Sequence, residues 1–284
     1  MPNLLRLVTL ENKTIDPLAR FNVEGVSMRR MICGCQLNII EQGQGTPALI
    51  FFHYFAGSSA SWSEVITQLQ ETAHCIAPDL PGFGDSEPIA ERSVEAVAVV
   101  IAEMIRQLDL QHYILIGHSM GGKVALALAS TQPPGLQSLI LLAPSPPTPE
   151  PIAVSERSHL LQTYGIRSAA EETAHKITAQ DLSQSAFDRV VQDNLRSSQE
   201  AWQAWLECGS RQDISPAMTT ITVPILVIVG AEDSVIPQAL LQQEVVNSIA
   251  NAQLVVVPNA GHLLPLEAPQ AIVELIQARY FDLT

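Results

Sequence analysis

The 284-residue chain has no uninterrupted apolar run of membrane length, and a helix needs about 20 such residues to cross a bilayer. Residues 1–11 lack a basic region followed by an apolar core and a small-residue cleavage site, so a cytoplasmic location is expected, with no membrane partner. Positive charge is also scarce: 15 Lys and Arg face 29 Asp and Glu, for a formal charge of −14. Binding to phosphate backbones needs clustered cations, which argues against nucleic acid as a partner. The same field opposes anionic substrates and favours a neutral small molecule. The chain has 4 cysteines. Cys33 and Cys35 are one glycine apart, while Cys75 and Cys208 stand alone, so no tetrahedral metal set emerges and free thiols are expected. No internal repeat is evident. No metal or cofactor is expected.

Hydrophobic residues make up 47% of the chain, enough to bury one large core. Short apolar runs alternate with helical segments, which predicts an α/β fold with a mostly parallel central sheet flanked by helices. Two early strands are expected around Cys33-Gly34-Cys35 within 28–42, and buried strands at 48–53, 74–78, 113–116, 139–142, 225–229 and 254–257. Helices are expected at 62–70, 94–108 and 123–129. After the strand at 139–142 comes Ala143-Pro144-Ser145-Pro146-Pro147-Thr148-Pro149-Glu150-Pro151, whose prolines rule out helix. The pattern from 152 to 211 is polar and helical. The expected organisation is therefore a core at 1–144 and 216–284 with an inserted helical cap at 145–215. Trp202 and Trp205 share one face of a predicted cap helix. They are read either as buried between cap and core or as direct substrate contacts.

Gly117-His118-Ser119-Met120-Gly121 reads as G-x-S-x-G between a buried strand and a helix. Such a turn forces the central residue into a strained conformation, which flanking glycines permit, and lifts its hydroxyl into the open at a helix N-terminus. Ser119 is therefore the candidate nucleophile. A serine hydroxyl is a weak nucleophile at neutral pH and needs a neutral imidazole to accept its proton and a carboxylate to orient that imidazole. Asp233 follows the strand at 225–229, and its position favours it over its neighbour Glu232. His262 follows the strand at 254–257, in Pro258-Asn259-Ala260-Gly261-His262. These three supply nucleophile, base and acid. His53 ends a strand, where a ring nitrogen that ties down loop backbone is favoured over proton transfer. His118 either braces the turn or touches the site. Asp79 and Asp85 flank turn-forming proline and glycines and are read as architecture.

Taken with His53-Tyr54-Phe55-Ala56-Gly57, Asp79-Leu80-Pro81-Gly82-Phe83-Gly84-Asp85-Ser86 and Leu266-Glu267-Ala268-Pro269, these motifs make residues 39–280 resemble the α/β-hydrolase fold superfamily. The likeness is to serine esterases and cofactor-free haloperoxidases. The resemblance implies an oxyanion hole built from the backbone N–H groups of Phe55 and Met120. Family members usually carry glycine where this chain has Tyr54, which implies either a shifted loop or a tyrosine lining the pocket. The implied activity is cleavage of a small or medium carboxylic ester through an acyl-enzyme. Carbon–carbon bond hydrolysis and perhydrolysis share the same parts, although Leu263-Leu264-Pro265 lacks the aromatic residue expected of the former. A hydrolase-fold ligand receptor with little turnover is a further alternative.

Overall fold

Strands buried on both faces cannot alternate apolar with polar, because successive side chains point to opposite sides and each side meets a core. In a computed structural model, which describes residues 26–281, these runs form β1 (Val26–Ile32), β2 (Cys35–Gln42), β3 (Ala48–Phe52), β4 (Cys75–Pro78), β5 (Tyr113–His118), β6 (Leu136–Leu142), β7 (Ile225–Gly230) and β8 (Ala252–Val257). They join one sheet in the order β1-β2-β4-β3-β5-β6-β7-β8. β1 pairs β2 and β2 pairs β4 antiparallel, and the remaining neighbours are parallel. Residues 1–11, read above for a leader, lie outside the described residues.

Ile50, Phe52, Leu115, Leu139, Leu141, Val227 and Val229 face one core; Leu49, Phe51, Ile114, Ile116, Ile140, Leu142 and Ile228 face the other. The first is covered by α2 (Val94–Gln107) and α3 (Met120–Ser130) through residues such as Ile101, Met104 and Leu126. The second is covered by α1 (Ser63–Leu69) and the C-terminal helix Pro269–Phe281 through Val65, Leu69, Ile272 and Ile276. The strand expected at 139–142 begins earlier, at Leu136. Its first residues, Leu136 and Gln137, are only half-buried, so they lack the apolar run that marks the rest.

Between β6 and β7 the chain leaves the sheet and forms α4 (Val154–Gln162), α5 (Arg167–Lys176), α6 (Gln184–Arg196) and α7 (Gln199–Glu207). Among the described residues no helix is long and apolar enough to cross a membrane.

Candidate active site

All the singled-out loops leave the C-terminal ends of parallel strands, the edge where open α/β sheets place their sites. Ser119 is the N-cap of α3, with φ 51° and ψ −116°, a conformation that side chains other than glycine rarely adopt. The turn is tight enough that a Cβ on Gly117 would lie 2.6 Å from the Gly121 carbonyl oxygen, and one on Gly121 would lie 2.6 Å from the carbonyl oxygens of Phe52 and His53. Both glycines are therefore required for close approach. The Ser119 N–H donates to the Leu142 carbonyl at 2.9 Å, and its own carbonyl accepts from the N–H groups of Gly122 and Ser145, both at 2.9 Å. The strained residue is thus fixed from both sides.

His262 Nε2 lies 3.0 Å from Ser119 Oγ, and its Nδ1 lies 2.9 Å from Asp233 Oδ2. The other oxygen of Asp233 accepts the N–H groups of Val235 at 2.8 Å and Ile236 at 2.9 Å. Burial alone would raise the Asp233 carboxyl, but the His262 charge and hydrogen bond and the two N–H groups reverse this and hold its pKa below the ordinary carboxylate value. An ionised Asp233 keeps the Nδ1 proton on the ring and leaves the Nε2 lone pair toward Ser119. The structure thus brings Ser119, Asp233 and His262 together.

The loop after β3 turns at Tyr54-Phe55-Ala56-Gly57: the Gly57 N–H donates to the Tyr54 carbonyl at 3.0 Å, with Ala56 in the left-handed region at φ 62°. His53 fixes this loop. It accepts the Leu80 N–H on Nε2 at 2.9 Å, so its proton is on Nδ1, which donates to the Tyr54 carbonyl at 2.7 Å. Desolvation lowers its pKa and keeps it neutral. Tyr54 is buried against Ala174, Val190 and Leu263, and among the described residues its hydroxyl has no hydrogen-bond partner. Asp79 is architecture, as read: one oxygen accepts the Ser59 N–H at 2.7 Å, and the other takes the Asp85 N–H at 2.8 Å and Asn38 Nδ2 at 3.0 Å.

The His118 ring lies 5.3 Å from that of His262 and is tied to the backbone of that residue. Its Nε2 donates to the backbone carbonyl of His262 at 2.8 Å, and burial pushes its pKa down to about 3. The ring therefore stays neutral and braces the loop of the candidate base. A second brace was not legible in the sequence. Glu267 accepts the N–H groups of Gly261 and Leu263, each at 2.9 Å, on either side of His262. The same carboxylate takes the Ala179 N–H at 2.7 Å, and the His262 N–H donates to the Ile177 carbonyl at 3.0 Å. Ser234, beside Asp233, donates to the Lys176 carbonyl at 3.2 Å. The segment after α5 is thereby tied to both the Asp233 and His262 loops. Glu267 lies within a motif that carries the family resemblance, but only the folded chain shows what its carboxylate meets.

Ser119 and His262 open into a cavity of about 380 Å³. Phe55, Tyr54, Trp202 and Trp205 line it with aliphatic residues of the insertion, among them Leu160 and Ile177. Trp202 and Trp205 are buried and pack on Phe55 at ring-centroid distances of 4.7 and 6.3 Å, and both line the cavity. Among the described residues no group of His, Cys, Asp and Glu is arranged to hold a metal ion.

Comparison with known proteins agrees with this architecture. An uncharacterized hydrolase, YugF, of Bacillus subtilis strain 168 is 25% identical over 284 residues, covering 93% of this chain and 98% of that protein. The structure of an esterase from Exiguobacterium antarcticum superimposes with a TM-score of 0.83 at 20% identity, over 89% of this chain and 98% of that one. A thermophilic esterase from Thermogutta terrifontis gives a TM-score of 0.77 at 26% identity, over 90% of this chain and 98% of its own. The family description "alpha/beta hydrolase family" matches residues 49–275, most of the sheet and the whole candidate site, and the chain belongs to that family.

Proposed function

We propose that the chain is a serine hydrolase that cleaves a small or medium carboxylic ester through an acyl-enzyme intermediate. The observation that carries this is the continuous chain of contacts Ser119 Oγ, His262 Nε2, His262 Nδ1 and Asp233 Oδ2, with separations of 3.0 and 2.9 Å. Ser119 attacks the ester carbonyl while His262 takes its proton, and Asp233 stabilises the imidazolium. His262 then protonates the leaving alcohol, and water enters by the same route to release the acid. No cofactor takes part.

The backbone N–H groups of Met120 and Phe55 hold the oxyanion. Met120 is the first residue of α3, so its N–H is among those without an acceptor inside the helix. Phe55 is the second residue of a turn closed by the Gly57 N–H and the Tyr54 carbonyl, which leaves its own N–H out of that bond. The helix dipole adds to the same field. The insertion at 145–215 acts as a cap that limits water and, through Trp202 and Trp205, shapes the pocket together with Tyr54 of the loop after β3. Pre-steady-state hydrolysis of p-nitrophenyl butyrate tests the reading. One equivalent of p-nitrophenol per protein should appear in a burst before the linear phase, and release no faster than in buffer would overturn the proposal.

A further inference from the structure

The cavity holds a carboxyl group that the ester mechanism does not use. Glu150, near the end of the proline segment after β6, lines the same cavity as Ser119 and His262. It is firmly placed: its N–H donates to the Ser210 carbonyl at 2.7 Å, and Oε2 accepts from Ser145 Oγ at 2.6 Å. Ser145 in turn donates its N–H to the Ser119 carbonyl, so the carboxyl is built onto the nucleophile turn itself.

Its electrostatic surroundings are incomplete. Among the described residues Glu150 makes no ion pair within 4.0 Å. The other acid of the cavity, Glu156, already has a counter-charge in Lys176 at 2.7 Å. The cations nearest in effect are committed elsewhere. Lys123 Nζ donates to the carbonyls of Thr148 at 3.0 Å and Gln212 at 2.7 Å, and Arg157 binds the Leu206 carbonyl and Ser210 Oγ. Burial pushes the Glu150 carboxyl upward, against the Ser145 hydrogen bond and the fields of His262, Lys123 and Arg157. Glu150 is half-buried, and a carboxyl held at a cavity wall without a counter-charge is a natural partner for a cation delivered by a ligand. The remaining walls suit the same ligand, because the faces of aromatic rings attract cations, and Tyr54, Phe55, Trp202 and Trp205 all line this cavity. The formal charge of −14 favours the approach of such a ligand.

We propose that Glu150 is the specificity-determining residue of the site and receives an ammonium group of the substrate, so that the preferred esters are amino esters. This rests on the ester-hydrolase reading above and narrows its substrate class beyond neutral esters. The test compares the butyryl esters of choline and of 3,3-dimethylbutanol, which have similar shape and differ in charge, by acid release. The wild-type protein should favour the choline ester in kcat/KM by at least about tenfold, within the reach of a desolvated cation–π and charge contact. In Glu150→Gln the two rates should converge to within about threefold. Equal rates in the wild type, or a preference that Glu150→Gln retains, would overturn the proposal. Turnover of the neutral ester in either case leaves the ester-hydrolase reading standing, whereas no turnover of either ester counts against that reading. Should Glu150→Gln not fold, inhibition of the wild type decides. Choline must then inhibit neutral-ester hydrolysis at least about tenfold more strongly than 3,3-dimethylbutanol, and equal inhibition overturns the inference.

Discussion

Replacing Glu267 with alanine tests how the candidate base is held. The carboxylate accepts the Gly261 and Leu263 N–H groups at 2.9 Å and the Ala179 N–H at 2.7 Å. Its loss strands the two partly buried donors beside His262, and the third can turn to water. Hydrogen bonds to a charged acceptor contribute roughly 1.5–3 kcal/mol each, and water entering a partly open site recovers some of that. A total loss of about 3 kcal/mol is expected, which for a chain of this size lowers Tm by about 6–12 °C. The larger effect should be kinetic. Displacing a catalytic group by about 1 Å costs about a hundredfold in rate, and His262 is flanked by both stranded donors. Measured with p-nitrophenyl butyrate, kcat should fall by about 10- to 100-fold with little change in KM, and Glu267→Gln, which keeps one acceptor oxygen, should lie between. A lowered Tm with kcat within about twofold of wild type would show that Glu267 supports the fold but does not position His262.

Three other outcomes follow from individual contacts. Asp233→Asn should keep the fold but favour the wrong His262 tautomer, and kcat should drop on the order of 10⁴-fold; a loss below about tenfold would remove Asp233 from its role. Tyr54→Phe deletes a buried hydroxyl that has no partner among the described residues and keeps the ring contacts, so thermal unfolding should show Tm unchanged or raised, by about 1 kcal/mol of stability. A clear destabilisation would mean that the hydroxyl is satisfied. His118, with its pKa pushed down from 6.5 to about 3, is neutral when folded but takes a proton when unfolded below pH 6.5. Its folded pKa is depressed, so the unfolded state binds more protons in that window and stability falls as pH drops from about 6.5 toward 3, by up to about 5 kcal/mol. Denaturant titrations at several pH values should show a shallower acid slope in His118→Gln; an unchanged slope would place the acid sensitivity elsewhere.

What the sequence made legible follows from how local each signal is. The central strands were readable because burial on both faces leaves unbroken apolar runs, and the turn at Ser119 because steric closeness demands glycine at 117 and 121. His53 could be read as a loop brace from its place at a strand end. The direction of the His118 ring could not, because it depends on a carbonyl 144 residues away. Glu267 and Glu150 were unread for the same reason: their partners lie in loops and in the insertion, and a lone acidic residue gives no periodic signal. Tyr54 left two paths open for its loop. The fold keeps a tight turn there, with the tyrosine ring against Ala174, Val190 and Leu263.

In the proposed mechanism Ser119 Oγ is the atom that becomes acylated. Treating the wild-type protein with an organophosphonate and mapping the adduct by peptide mass spectrometry tests this most directly. One phosphonyl group should appear on Ser119, with ester turnover lost in step and Ser119→Ala inactive. An unmodified Ser119, together with undiminished turnover by Ser119→Ala, would contradict the account.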